Sequence, residues 1–482
     1  MTRHFLAACL MVAALAPTIA SANPEPTAYD TRSISMGLTG TSYMERASAI
    51  VLNPANMEGV EKLGFTLNFT GLFTRQIAPV QGPGTEGRSG LGFGPIPSGF
   101  ISGRIAPNVV FGAGLVIETG YGSSFDGVVC LDGAPVDPDP ADGPSADGTY
   151  NPDTNPATCT NPNPEDLNVT FFVGEASVAT SYKIHEKFWL GIALRLPFSK
   201  QVADLWQNVG AALGGTRYGR VNNDLRGIGF PSPRIGLTIK PHRKVSIGIM
   251  YRMYSKIKLT GTTETDLLID PDTGNPLVLT STANWNIPNA LQMGVSYKAN
   301  PRLLLAWELR LQFHGAKKTG NPNQTVTAQL PSPSAAPIET IVGFGWKNVW
   351  SAKFGVEYRF RKADLMSFRG GLNIADAAST EPWAQYFTPP PGVSATFMAG
   401  LGFYWDDRNE PELKDKYQLD IGTLFGYSGT KIGNEWIGNS QQIPGTDDSE
   451  ILCSSDQVVR TGCPGRIGVF TYWASVSFTL QY

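Results

Sequence analysis

Apolar positions alternate with small or polar ones along most of the chain. Leu63, Phe65, Leu67 and Phe69 are separated by Gly64, Thr66 and Asn68. Val245, Ile247, Ile249, Tyr251 and Met253 repeat the pattern, and Trp350, Ala352, Phe354, Val356, Tyr358 and Phe360 give its cleanest instance. A period of two describes strands with two unlike faces. The runs hold ~10 or more residues, enough to cross a membrane when tilted, whereas soluble strands usually hold about five or six. Fourteen strands are predicted, near 62–73, 97–106, 108–119, 167–182, 187–201, 226–240, 243–261, 284–299, 302–314, 347–361, 364–375, 393–405, 416–428 and 466–482. The connections between them alternate in length. Short ones fall at Pro107-Asn108, His185-Glu186, Pro241-His242, Asn300-Pro301, 361–363 and, somewhat longer, 406–415; long ones cover 74–96, 120–166, 202–225, 262–283, 315–346, 376–392 and 429–465. A soluble β-sandwich also alternates along its strands but has no reason to keep this parity of connections. An outer-membrane barrel does, with short periplasmic turns and long outer loops. The expected class is all-β: a transmembrane antiparallel barrel of about 14 strands, both ends in the periplasm.

Parity assigns faces. On 302–314, Leu303, Leu305, Trp307, Leu309, Leu311 and Phe313 fall on the lipid side, and Glu308, Arg310, Gln312 and His314 point inward. The same count sends Lys353, Glu357 and Arg359 inward on 347–361, and Arg252, Lys256 and Lys258 inward on 243–261, with Arg195, Arg369 and Asp420 joining from other strands. A charge facing lipid near the midplane costs about 2–4 kcal/mol, so this segregation is informative. Charges of both signs inside predict a paired network.

Composition agrees. Charged residues make up 16% of the 482 positions, against ~25% in ordinary globular domains. The formal net charge of −3 excludes a nucleic-acid binder, which needs a basic footprint. Beyond residue 22 no run reaches the ~18 apolar residues of a membrane helix. Residues 1–22 read as a secretory signal peptide: Arg3, an apolar run from Phe5 to Ala16, and Ala20-Ser21-Ala22 before the cleavage point. A lipoprotein reading through Cys9 fails, because the apolar run would follow the modified cysteine. Four cysteines remain, and in an oxidising compartment Cys130 with Cys159, and Cys453 with Cys463, are candidate loop disulfides. No metal site or cofactor is expected. The acidic run Asp137, Asp139 and Asp142 reads as a solvated loop ahead of a calcium site. Apart from His4 in the leader, His185, His242 and His314 are scattered, so no catalytic constellation forms and an enzyme is not expected.

Residues 23–61 are rich in small residues, low in charge, and precede the first strand; they are expected to fill the lumen as a hatch, with 62–482 forming the barrel. Met36-Gly37-Leu38-Thr39-Gly40, then Ala47-Ser48-Ala49, then Asn53-Pro54-Ala55 stand in this order just before strand one. This arrangement resembles the FadL/TodX-type outer-membrane transporters of long-chain fatty acids and aromatic hydrocarbons. Pro107-Asn108 to Tyr121-Gly122, Ile287-Pro288 and Arg369 to Pro382 are similar to that family's third strand, eighth-strand entry and eleventh strand with its loop. The resemblance implies a fourteen-stranded barrel plugged by a hatch. Its function would be passive uptake of a hydrophobic small molecule, released sideways into the membrane where the third strand kinks. Gly112, Gly114, Gly120 and Gly122 are the lateral-opening candidates, since glycines weaken strand pairing. Lys200 and Lys317 or Lys318 are implied as partners of a carboxylate headgroup. The alternating C-terminal strand, Tyr472 to Tyr482, resembles the signal read by the barrel-assembly machinery; outer-membrane lipid and lipopolysaccharide are the other expected partners of a monomer. The rivals are an aromatic-hydrocarbon channel of the same fold, a hydrophilic porin, and an adhesin or structural surface barrel.

Overall fold

The computed structural model describes residues 29–80, 84, 86–128, 165–208, 218–270, 273–331, 336–360, 365–385, 388–405, 416–437, 439–453 and 462–482. The leader, Cys130, Cys159 and the Asp137–Asp142 run lie outside them. Among the described residues no helix is long and apolar enough to cross a membrane, and, apart from a small hairpin, Ser440–Gln442 with Ser449–Ile451, the strands form one closed sheet. Its members are β1 (Leu63–Ala78), β2 (Gly92–Ala106), β3 (Val109–Val128), β4 (Glu165–His185) and β5 (Phe188–Asn208). Five interrupted strands follow: β6 (Tyr218–Ile228 and Ser232–His242), β7 (Val245–Arg252 and Ser255–Ile269), β8 (Pro276–Ile287 and Ala290–Asn300), β9 (Leu303–Gln312 and Asn323–Gln329) and β10 (Ile338–Gly343 and Val349–Arg359). The last four are β11 (Met366–Ala375), β12 (Ser394–Trp405), β13 (Tyr417–Ile432) and β14 (Gly465–Gln481). Each pairs antiparallel with its chain neighbours, and β14 pairs with β1 from Gly64↔Gln481 to Ile77↔Gly468, which closes a fourteen-stranded barrel. Closure leaves no terminal strand with a free edge, the condition for crossing lipid with strands.

The strands reach further than alternation alone indicated. Much of the expected loops 202–225, 262–283 and 315–346 is strand that continues beyond the membrane-spanning height. The outer face carries the apolar belt: Leu190, Ile192, Leu194 and Leu196 on β5, Trp307 and Leu309 on β9, and Tyr472, Val476 and Phe478 on β14 are all exposed. Replacing Trp307, whose ring packs tilted at 5.7 Å against the neighbouring Phe354 ring, by arginine is expected to lower stability by about 2–4 kcal/mol. Reversible urea unfolding from lipid vesicles measures this.

The interruptions correct one set of assigned faces. On the inner segments of β6, β7 and β8 the even-numbered residues face the lumen, as the buried Arg234, Arg252 and Gln292 show; on the outer segments the odd-numbered ones do, as with Leu225, Ile257 and Trp285. The breaks at Gly229–Pro231, Met253–Tyr254 and Pro288–Asn289 therefore each invert the side-chain parity. Lys256 and Lys258, expected inside, consequently face outward and are exposed, while Ile257 and Leu259 are buried. Arg195, Glu308, Arg310, Lys353, Arg369 and Asp420 are buried in the lumen as their strands' uninterrupted parity requires.

Ahead of β1 the chain lies inside the barrel. It forms α1 (Thr31–Ser35), α2 (Ala49–Leu52) and a 3-10 turn, Pro54–Gly59. The Asp30 side chain caps α1, accepting from the backbone N–H of Arg32 at 2.8 Å and of Ser33 at 3.4 Å. Its apolar residues Met44, Ile50, Leu52 and Met57 are buried together with Phe100, Val110, Ala193 and Ala306 of the wall.

Candidate transport path

The lumenal segment rests on close backbone contacts and a set of polar anchors. The Asn53-Pro54-Ala55 turn sits on a floor made by Gly191 of β5 and Gly236 of β6. A Cβ on Gly191 would strike the Ala55 backbone, and one on Gly236 would strike the Asn53 carboxamide and lie 2.8 Å from the Pro54 ring. Asn53 holds both sides: its Oδ1 accepts from the Ala55 N–H at 3.1 Å, and its Nδ2 donates to Thr41 O at 2.8 Å and Thr238 Oγ1 at 3.0 Å. Pro54 opens the 3-10 turn, where its missing N–H costs nothing. Gly37 has φ +75°, a left-handed conformation that disfavours a side chain, and its α-carbon lies against the backbone of β10 and β11. Gly40 and Thr41 donate their N–H groups to Glu308 Oε2 at 3.0 and 2.9 Å. Glu308 also accepts from Gln292 and, at 3.2 Å, from Lys353, whose ammonium reaches Leu38 O at 3.0 Å. The hatch motif is thus a fitting between a plug and a glycine-lined wall.

Ion pairs fasten the plug elsewhere. Arg32 meets Glu357 at 2.7 Å, Arg369 bridges Glu357 at 2.5 Å and Asp420 at 2.6 Å, and Arg46 meets Asp420 at 3.1 Å and Asp30 at 3.5 Å. Removing one partner of such a buried set costs roughly 3–5 kcal/mol, because the other charge is stranded. Tyr43 donates to Thr39 O at 3.3 Å, and burial pushes its phenol above the ordinary value.

Beyond the plug, toward the long connections, the lumen turns apolar. Phe171 and Val173 of β4, Ile257 and Leu259 of β7, Trp285 and Ile287 of β8, and Phe344 and Trp346 in the break of β10 form a buried cluster. Phe171 and Trp285 pack at 4.4 Å, Phe344 and Trp346 stack at 5.1 Å, and Trp346 lies edge-on to Trp285 and to His314, each at 5.4 Å. A cavity of about 30 Å³ continues outward, lined by Leu279, Val326, Ala328 and Thr340 among others. Drug-sized ligands occupy pockets of about 300 Å³ or more, so these side chains must part to admit one.

At the side of this cluster two strands separate. The β2–β3 ladder ends at Gly99↔Leu115; above it, Gly92–Ser98 pair with β1 and Val116 onward pairs with β4, until Gly90 N–H donates to Ser124 O at 3.1 Å and bounds the gap on its outer side. The departure coincides with a bulge: Ile117 pairs with Gly174 and Thr119 with Val173, leaving Glu118 as the extra residue. Glu118 is buried and bound by three arginines, Arg252 at 2.6 Å, Arg195 at 2.8 Å and Arg234 at 3.4 Å. Arg195 and Arg234 also hold Glu175 of β4 at 2.6 and 2.8 Å. The bulge is therefore clamped to β5, β6 and β7 from inside.

The residues singled out from sequence fall in different places. Gly112 and Gly114 lie within the intact β2–β3 ladder, where a Cβ would press on Ile50 of α2's face and on Phe100. Gly120 and Gly122 are buried in the stretch of β3 that has left β2. Lys200 does not reach the lumen. Its parity on β5 is that of Leu194 and Leu196, so it faces outward, 3.8 Å from Asp224, and Gln201 takes the inward position. Lys317 and Lys318 are exposed in the turn that interrupts β9. Cys453 and Cys463 form a disulfide with Cα atoms 4.9 Å apart. His185 and His242 sit in short turns, each Nδ1 accepting the N–H two residues on at 3.2 Å. Sequence reading missed the aromatic cluster and Glu118. The signal for Glu118 was a lone carboxylate after Leu115-Val116-Ile117; Trp285 was hidden by the parity inversion, and Phe344 and Trp346 fell in the expected loop 315–346.

A closed fourteen-stranded barrel whose own N-terminal segment fills the lumen defines a plugged transmembrane β-barrel. The chain has the fold of the FadL/TodX-type channels. A FadL homologue from Pseudomonas aeruginosa matches with TM-score 0.66 at 15% identity, over 95% of this chain and 99% of that one. The toluene transporter TbuX of Ralstonia pickettii matches at 0.64 and 16% identity, over 95% and 99%, and the toluene transporter TodX of Pseudomonas putida at 0.61 and 16%, over 94% and 98%. No protein-family model and no curated protein sequence matches the chain.

Proposed function

We propose that this protein is a passive outer-membrane transporter of hydrophobic small molecules, exported by its leader and assembled through the strand ending at Tyr482. The observation that carries the reading is the lost β2–β3 pairing beside an apolar lumen closed on the other side by a clamped plug. An apolar ligand has no low-energy path through a polar lumen. A greasy chamber that opens sideways into lipid removes that barrier. Ligand would enter between the outer strand extensions, part the Phe171–Trp285–Trp346 cluster, and leave through the gap past Gly120 and Gly122, with residues 23–61 as the gate that keeps water-filled passage shut.

Two ligand classes fit, long-chain fatty acids and aromatic hydrocarbons. The uncharged class is favoured here, because Lys200, Lys317 and Lys318 face away from the chamber and Arg195 and Arg234 are already engaged by Glu118 and Glu175. Uptake of labelled toluene and labelled oleate by a host lacking such a transporter, with and without this chain, tests both. Exchanging Phe171 and Trp285 for aspartate is expected to reduce uptake at least tenfold while the barrel still shows heat-dependent mobility on gels. Equal uptake of both ligands with and without the protein would sink the reading and leave an adhesin or structural barrel.

A further inference from the structure

The parity inversion at the strand breaks places a row of basic side chains on the outside of the barrel. Lys200 of β5 is the cross-strand partner of Arg226 of β6, and Arg226 pairs with Thr260 of β7. Two and four residues back along β7, Lys258 and Lys256 are exposed on the same face. The turn bearing Lys317 and Lys318 is held beside them. Asn286, the partner of Lys256, donates its Nδ2 to Gly320 O and its backbone N–H to Asn321 Oδ1, each at 2.8 Å. The group spans three adjacent strands, about 10 Å across, with Lys256 and Lys258 about 7 Å apart. Asp224 is the one carboxylate within it, paired with Arg226 at 2.9 Å and Lys200 at 3.8 Å. Among the described residues, Lys256, Lys258, Lys317 and Lys318 have no ion pair of their own.

Directly beneath, toward the short-turn end, the surface is greasy. Ile228 is 68% and Phe230 71% exposed, with Leu194, Leu196, Met253 and Tyr254 around them. Phe230 and Lys256 are in contact through a backbone bond of 3.1 Å. Directly above, the charge changes sign: Glu165, Asp204 and Asp266 surround Arg220. Net basic charge thus lies in the tier that meets the apolar belt, on the outer-leaflet side, while Arg220 in the tier above is outnumbered by its carboxylate partners. General solvation of a barrel rim would mix the signs. An anion joined to acyl chains satisfies both tiers at once, its phosphates on the basic row and its chains on Ile228 and Phe230.

We propose that the outward face of β5, β6 and β7 is a binding site for a phosphorylated glycolipid of the outer leaflet, a multiply acylated, bisphosphorylated disaccharide. The site lies on the lipid side of the wall, away from the lumenal path, so its occupancy does not depend on the transport reading.

The test is native mass spectrometry of the purified full chain in detergent, titrated with bisphosphorylated lipid A. The wild type is expected to retain one lipid A through detergent exchange. The variant K200Q/R226Q/K256Q/K258Q should bind at least tenfold more weakly, and dephosphorylated lipid A should bind the wild type as weakly as that. Heat-dependent gel mobility verifies that the variant is folded. K256Q/K258Q, which removes two charges from the site, is expected to weaken binding in the same direction and keeps the test open should the fourfold variant misfold; K431Q/R466Q, which removes two exposed basic residues on β13 and β14, is its charge-matched control. Unchanged retention by the fourfold variant, equal binding of the dephosphorylated lipid, or an equal loss in the β13–β14 control would each overturn the proposal.

Discussion

Oxidising a cysteine pair placed at Ser98 and Val116 is expected to cut uptake of the hydrophobic ligand at least tenfold, and reductant should restore it. These residues stand one step beyond the last paired positions, Gly99 and Leu115, and both are buried. A covalent tie there extends the ladder and draws β3 back against β2, closing the gap without altering the Phe171–Trp285–Trp346 cluster; because the Ser98 hydroxyl donates to Tyr29 O of the plug at 2.9 Å, the reduced variant is compared with each single cysteine variant. The Cys453–Cys463 bond of the wild-type protein responds to the same reductant. Wild-type uptake with and without it is therefore the reference. Full uptake in the oxidised variant, with cross-linking verified by mass, would mean that ligand leaves by another route.

Deleting residues 23–61 is expected to convert the barrel into a water-filled pore, seen as a stepwise conductance in planar bilayers that the intact chain lacks. The segment fills the lumen with buried side chains and contacts β5, β6, β10 and β11 through glycines that leave no space for a Cβ. Its loss also takes one set of partners from the buried Glu308, Glu357 and Asp420, which keep Lys353 and Arg369 of the wall. A modest drop in stability should accompany the conductance, since water then reaches those groups. Urea unfolding monitors that drop separately. A silent bilayer with a correctly folded deletion would show that the plug is not what closes the channel.

The barrel was legible in the sequence because a lipid-facing strand carries its own signature: apolar residues at every second position for long enough to cross. The closing strand, the short turns and the inward charges of β9 all followed from that count. What the count could not carry was a change of phase. Two-residue interruptions such as Met253-Tyr254 preserve the appearance of alternation while moving Lys256 and Lys258 to the opposite face. Lys200 failed for a related reason, since a placement one residue out exchanges lumen for exterior. The Asn53-Pro54-Ala55 motif was visible, but its role needed the partners, Gly191 and Gly236, which lie more than a hundred residues downstream. Glu118 required knowledge of the register of two strands at once.

Thr31 in α1 bonds at 2.7 Å to Asn68 of β1 and at 2.7 Å to Ser475 of β14, and Arg46 reaches Thr479 at 2.9 Å. The plug therefore spans the one seam where the first and last strands of the barrel join. Those two strands lie about four hundred residues apart in sequence, so this ladder is the most costly in loop entropy to form. The plug thus lays buried hydroxyl bonds across the very join between chain ends, and part of what keeps the ring shut is contributed from inside it by a segment that belongs to neither strand.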